Sequence, residues 1–192
     1  MGFRFTYTVP GAGTPGLVAD INNATVDSYL SNEEEGIEPG NFVFVIPGSP
    51  LAAQRRSAER RHRGGGRKIA GCVQYLPGRP REPSRSTWEQ YDALPVVRQG
   101  RIWTLVEAFA PASIEAALDA WFIRFTDSPA PAANIVPGNL RYGNGDPTPA
   151  PADTCVAIPA GILRPIRTAG PAVGGLTLVE VEFDFRNAVT FG

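Results

Sequence analysis

The chain has 192 residues, of which 43% are hydrophobic and 19% charged, and its 21 Gly and 19 Pro make up about a fifth of the total. That length suits one compact domain, 1–192, and that composition is turn-rich and argues against long helices. The longest apolar runs, such as Phe42 to Ile46, fall far short of the roughly 20 residues of a membrane span, and the N-terminus lacks a signal-peptide core, so a soluble, unprocessed protein is expected.

In chain order, Phe3, Phe5, Tyr7 and Val9 alternate with polar residues, the period-2 pattern of a half-buried strand that ends at Pro10. Gly11 to Gly16 reads as a turn, and Leu17 to Leu30 as a short strand plus loop. Glu33 to Gly40 reads as a solvated acidic turn. Asn41 to Ile46 is a continuous apolar run, predicted to be a strand buried on both faces. From Pro47 to Arg67 the pattern breaks, and a long exposed loop is expected, with an Arg-rich insertion at about 51–67. Lys68 to Leu76 resumes strand character, and Pro77 to Ser86 is loop. Leu94 to Val97 and Ile102 to Val106 flank Arg98-Gln99-Gly100-Arg101, which predicts a hairpin. Ser113 to Ala120 could form one or two helical turns. Trp121 to Phe125, Leu140 to Tyr142, Cys155 to Ile158, Gly161 to Ile166 and Leu176 to Phe185 complete the predicted strands. Short strands about ten residues apart, separated by Gly and Pro, describe an all-β, mainly antiparallel β-barrel or β-sandwich with long loops and at most one or two short helices.

The net charge of −1 is unevenly spread. Between Arg55 and Arg85 ten basic residues face two acids, a local +8 that leaves −9 for the rest. Arg55, Arg56, Arg60, Arg61, Arg63 and Arg67 form the densest part. Such a segment can grip an acidic protein surface through carboxylate contacts, can be a solvated insertion, or can bind a nucleic-acid backbone. Nucleic acid is the less favoured of these, because no aromatic side chain interleaves with Arg55 to Arg67 to stack on bases.

Catalytic chemistry finds little support. The one histidine, His62, lies inside the arginine-rich stretch, where neighbouring positive charges disfavour its protonation and nothing is expected to bury it, and Ser-His-Asp and Cys-His arrangements fail because a segment expected to be so mobile would not position a proton acceptor. Gly11-Ala12-Gly13-Thr14-Pro15-Gly16 matches GxGxxG, but the residues after Gly16 make a poor helix and no βαβ units follow, so a plain turn is expected. Glu180, Glu182 and Asp184 alternate with apolar residues and should line the solvent side of the last strand; no metal site and no cofactor are expected. Cys72 and Cys155 lack metal-like spacing and read as buried reduced thiols.

Several stretches in order resemble the structural cement proteins of tailed phages. These are Gly16-Leu17-Val18-Ala19-Asp20, Ile37-Glu38-Pro39-Gly40-Asn41-Phe42-Val43-Phe44-Val45, Lys68-Ile69-Ala70-Gly71-Cys72-Val73, Val96-Val97-Arg98-Gln99-Gly100-Arg101-Ile102-Trp103, and the closing Gly-Gly-Leu strand within Ala172 to Val181. The Arg-rich Leu51 to Gly66 and Pro-rich Ser128 to Ala152 regions depart from that pattern. The resemblance implies no catalytic residues. It implies a partner, the major capsid protein in an HK97-like lattice, and a location on the outer surface of the virion capsid. Self-association, as a homotrimer first and a dimer second, is expected from capsid symmetry. Arg55, Arg56, Arg60, Arg61, Arg63, Arg67, Phe3, Phe5 and Tyr7 are the candidate interface residues, with the N-terminal segment 1–20 and the arginine arm as the contacting parts.

Overall fold

The computed structural model describes residues 14–46, 49–54, 67–76, 87–115, 117, 120–126, 136–144, 154–169, 175–186 and 190–191. Their only helical element is a 3-10 turn at Ile21–Asn23, where Asp20 accepts a hydrogen bond from the Asn22 amide. Eleven strands are joined by turns and irregular segments: β1 (Thr25–Ser31), β2 (Phe42–Ile46), β3 (Ser49–Gln54), β4 (Arg67–Val73), β5 (Ala93–Glu107), β6 (Trp121–Arg124), β7 (Leu140–Tyr142), β8 (Cys155–Ile158), β9 (Leu163–Thr168), β10 (Leu176–Asp184) and β11 (Thr190–Phe191). The fold is therefore all-β, as the composition and strand spacing imply. Only β1–β3 and β5–β7 pair in parallel.

Five strands close on themselves. β5 pairs with β1 along one edge and with β4 along the other, β4 pairs with β2, β2 with β3, and β3 with β1. Each strand of this ring sends a side chain into one cluster: Tyr29, Val43, Ala53, Ala70, Val73, Leu94 and Val96, with Val45 packed against them. Ile37 and Trp88 join the cluster and exchange both backbone hydrogen bonds, 2.8 and 2.7 Å long. The acidic turn is thus less solvated than its sequence suggests. Ile37 is fully buried and Glu33 is buried too, because the turn's apolar residue serves the ring.

The other faces of β2, β4 and β5 carry Phe42, Phe44, Ile69, Cys72 and Val97 into a second, larger cluster shared with β6 to β10. Phe42 meets Phe183 and Phe185 edge-on, and Trp121, Tyr142 and Phe109 form an aromatic group with centroids 5.2–5.8 Å apart. β2 is the two-sided strand that its unbroken apolar run predicts. In β4 a bulge opposite Val43/Phe44 breaks the alternation, so that Ala70 and Val73 face the ring while Ile69 and Cys72 face the second cluster.

The predicted hairpin at Arg98 to Arg101 does not form. β5 runs unbroken for 15 residues, since β1 pairs with it from Ala93 to Gln99 and β10 from Gln99 to Glu107. Gly100 is used for close approach: its φ is +138°, and a Cβ there would lie 3.1 Å from the Cα of Ala24. The long loop expected over Pro47 to Arg67 also shortens at both ends, because 49–54 form β3, with Ala52 and Ala53 buried, and Arg67 starts β4. Small alanines fit where β3 closes the ring, and an alanine pair gives little strand signal on its own. The described residues of 113–120 form a turn in which the Ala117 amide donates to the Ile114 carbonyl, 3.1 Å away, and no helix. Positions 116, 118 and 119 lie outside the described residues.

Candidate interaction surfaces

Of the interface residues expected from sequence, Phe3, Phe5, Tyr7, Arg55, Arg56, Arg60, Arg61 and Arg63 lie outside the described residues, as does His62. Arg67 corrects the loop assignment: its backbone pairs with Phe191 in the β4–β11 ladder, because strand character begins one residue before Lys68. The roots of the arginine stretch are nonetheless well defined. Phe44 of β2 pairs with Gln54 on one side and with Ile69 on the other, so the segment 55–66 leaves from one neighbour of β2 and returns on the opposite neighbour.

The outer face of β5, β9 and β10 is a charge-paired surface. Glu180 is fully buried, a correction to its expected solvent position, because Arg101 of β5 and Arg167 of β9 close over it from the two neighbouring strands at 2.6 and 2.5 Å. The Arg167 guanidinium also lies 5.3 Å from the Trp103 ring centroid. One step along, Arg164 pairs with Glu182, and Asp184 pairs with Arg186 at 2.7 Å. The Arg186 hydrogen bond holds the Asp184 carboxyl below the usual carboxylate range. These pairs border a trough of about 750 Å³ whose walls include Asn23, Gln99 and Arg101. Its lining sets Asp20, Glu182 and Asp184 beside Arg101 and Arg164, so charges of both signs share it.

A deeper ion pair bridges neighbouring strands of the sheet. Arg124 of β6 makes a two-pronged contact with Glu107 at the end of β5, both bonds 2.8 Å, and Arg141 of β7 stands 3.6 Å from the same carboxylate. All three strands converge on one acid, and this ties the β6–β7–β8 group to β5. No spacing of charges along the chain foretells it.

Apolar exposure concentrates on and beside β1. Ile21 is 75% exposed and Tyr91 68%, and Val26 and Leu30 are exposed on the outward face of β1. Tyr91 has φ +69°, rare for a tyrosine, and its amide donates to the Ser31 carbonyl at 2.8 Å, which fastens the turn to the end of β1. The alternation Val26, Ser28, Leu30 was the only sequence signal for this strip.

The remaining candidates for chemistry resolve simply. Cys72 and Cys155 are both free and buried, and burial pushes both thiols up from their ordinary range, Cys72 most strongly. Gly16 does not open a helix: its amide donates to the Trp103 carbonyl, and Val18 bridges to Ile102, so the chain continues extended along β5. Among the described residues no helix is long and apolar enough to cross a membrane.

Residues 3–182 match the family model described as Structural cement protein (E217 gp24/Pam3 gp6), a phage family. The chain belongs to this structural cement protein family. The match spans the ring, β6 to β9 and most of β10, and ends before β11. No curated protein matches this cement protein.

Proposed function

We propose that this cement protein binds the outside of the major capsid protein lattice at subunit junctions and stabilises the virion head without catalysis. The observation that carries the reading is the family match over 3–182. The architecture supports it: a hydrogen-bonded ring is a stiff body, and the segments 1–13 and 55–66 supply the aromatic and cationic side chains suited to crossing subunit boundaries. In this reading 1–192 acts as one unit, the lattice is HK97-like, and the chain works as a homo-oligomer, a trimer first and a dimer second. Many weak contacts repeated over a lattice give avidity that a single interface lacks.

Co-sedimentation with assembled capsids of the same virus tests this directly. The chain should pellet with capsids in a saturable way and raise the temperature at which they release DNA; a chain that stays in the supernatant at micromolar concentration would sink the reading. The arginine density of 55–67 favours a second reading, a nucleic-acid-binding arm. Filter retention of DNA or RNA that falls steeply with salt and is lost on deleting 55–66 would select it.

A further inference from the structure

The first described residue, Thr14, stands at the lip of an apolar notch of about 200 Å³. Pro15, Pro39, Tyr75 and Leu105 line it, all half-buried, with Glu38 exposed at the rim. Its walls come from four separate stretches and are held by backbone bonds. The Gly16 amide donates to the Trp103 carbonyl at 2.7 Å, the Tyr75 amide to the Gly16 carbonyl at 2.7 Å, and the Gly40 amide to the Val73 carbonyl at 2.8 Å. The Thr104 hydroxyl donates to the Gly40 carbonyl, also 2.8 Å away. A pocket held in this way is formed before anything enters it, so an entering side chain does not have to order its walls.

Residues 1–13 precede the lip and include Phe3, Phe5 and Tyr7 at alternate positions, which share one side of an extended chain, with Arg4 between the first two. Val9 precedes Pro10 and is biased to extended backbone. Thirteen extended residues reach roughly 40 Å, well past a notch that begins at their own root.

We propose that this notch receives an aromatic side chain of the segment 3–9 from a second copy of the chain, with Arg4 of that segment facing the Glu38 carboxylate. The contact is heterologous, arm to notch, and closes into a ring of copies when the rotation between them permits. It rests on the reading of the chain as a self-associating cement protein and names where the copies meet.

The test uses two full-length variants, Phe5→Cys and Glu38→Cys, on separate chains, mixed and mildly oxidised both free and with capsids. Cys72 and Cys155 are buried and should stay silent. A covalent heterodimer on a non-reducing gel is expected, at least tenfold above a control pairing Phe5→Cys with Ser28→Cys, which lies on β1 away from the notch. Adding Leu105→Arg to the Glu38→Cys chain should abolish it. No excess in either setting overturns the inference, and so does a Phe5→Cys/Glu38→Cys chain that closes only within itself. Capsid binding without the cross-link sinks this inference alone; the cross-link without capsid binding sinks the capsid reading alone; the loss of both sinks both.

Discussion

At Gly71 the backbone has φ +147°, and a Cβ would fall 2.1 Å from the Val97 carbonyl oxygen, where β4 meets β5 to close the ring. No side chain fits without moving one of the two strands. Gly71→Ala should therefore destabilise by about 3 kcal/mol or more, read as a drop in the urea midpoint; a loss under 1 kcal/mol would mean that the ring does not close there. Glu107 makes a second case. Glu107→Gln leaves the Arg124 guanidinium buried with a neutral partner, and the expected loss is about 3–5 kcal/mol. The double change of Glu107 and Arg124 to a well-packed Leu and Met pair should recover much of it. The buried thiols give the third. Their folded pKa values lie above the ordinary value of about 8.5, so their contribution is complete below that pH. Above it the unfolded chain loses protons that the folded chain keeps, and stability should fall by up to roughly 1.4 kcal/mol per pH unit per thiol. Denaturation at pH 8, 9 and 10, set against a Cys72→Ala/Cys155→Ala chain that lacks this slope, measures the effect. The same burial should keep both thiols unreactive to a thiol reagent until the chain unfolds.

Strands whose alternation was set by burial alone were legible in the sequence. β2 is an unbroken apolar run because both of its faces meet a core, and β10 alternates because one face meets the Phe42 cluster. Strands whose role depended on distant partners were not. The stretch Arg98-Gln99-Gly100-Arg101 has the chemistry of a turn, and only the presence of β1 and β10 on opposite edges keeps it extended. Ala52 and Ala53 carry no strand signal until the ring needs small side chains beside β1. Glu180 looked solvated because the two arginines that cover it sit 79 and 13 positions away. β9 pairs only with β10 among the described strands, and it carries Pro165, exposed Arg164 and Arg167, and an irregularity in its ladder. Those features blunt an open edge against pairing with other chains. Arg164→Val with Thr168→Val, which leaves the Arg167–Glu180 pair in place, should make the chain scatter light at concentrations where the parent stays clear; unchanged scattering would show that the edge is guarded by something else.

At the scale of the whole molecule, the order of short apolar and glycine-bearing stretches points to the family, while the arginine-rich arm carries no periodic pattern that would place it. The geometry supplies the notch, the paired-charge face and the exposed strip around Tyr91, none of which composition could locate. The strip and the arms make different predictions for lattice binding. Tyr91→Ala together with Leu30→Ser removes exposed apolar area without touching a buried residue. If the strip touches the lattice, capsid affinity should drop about tenfold or more with the thermal midpoint unchanged, as measured by co-sedimentation and melting in parallel. Equal affinity would assign lattice contact to the arms.

β5 belongs to both halves of the molecule. Its first residues are a stave of the ring, and its last are the middle of the open sheet. A pull that tries to part the two halves is thus carried along one covalent backbone and meets the flanking hydrogen bonds sideways and together, where a hairpin joint would let them peel in sequence. If the proposed seat at capsid subunit junctions holds, the weak point shifts away from the protein's own middle and out to whatever it grips.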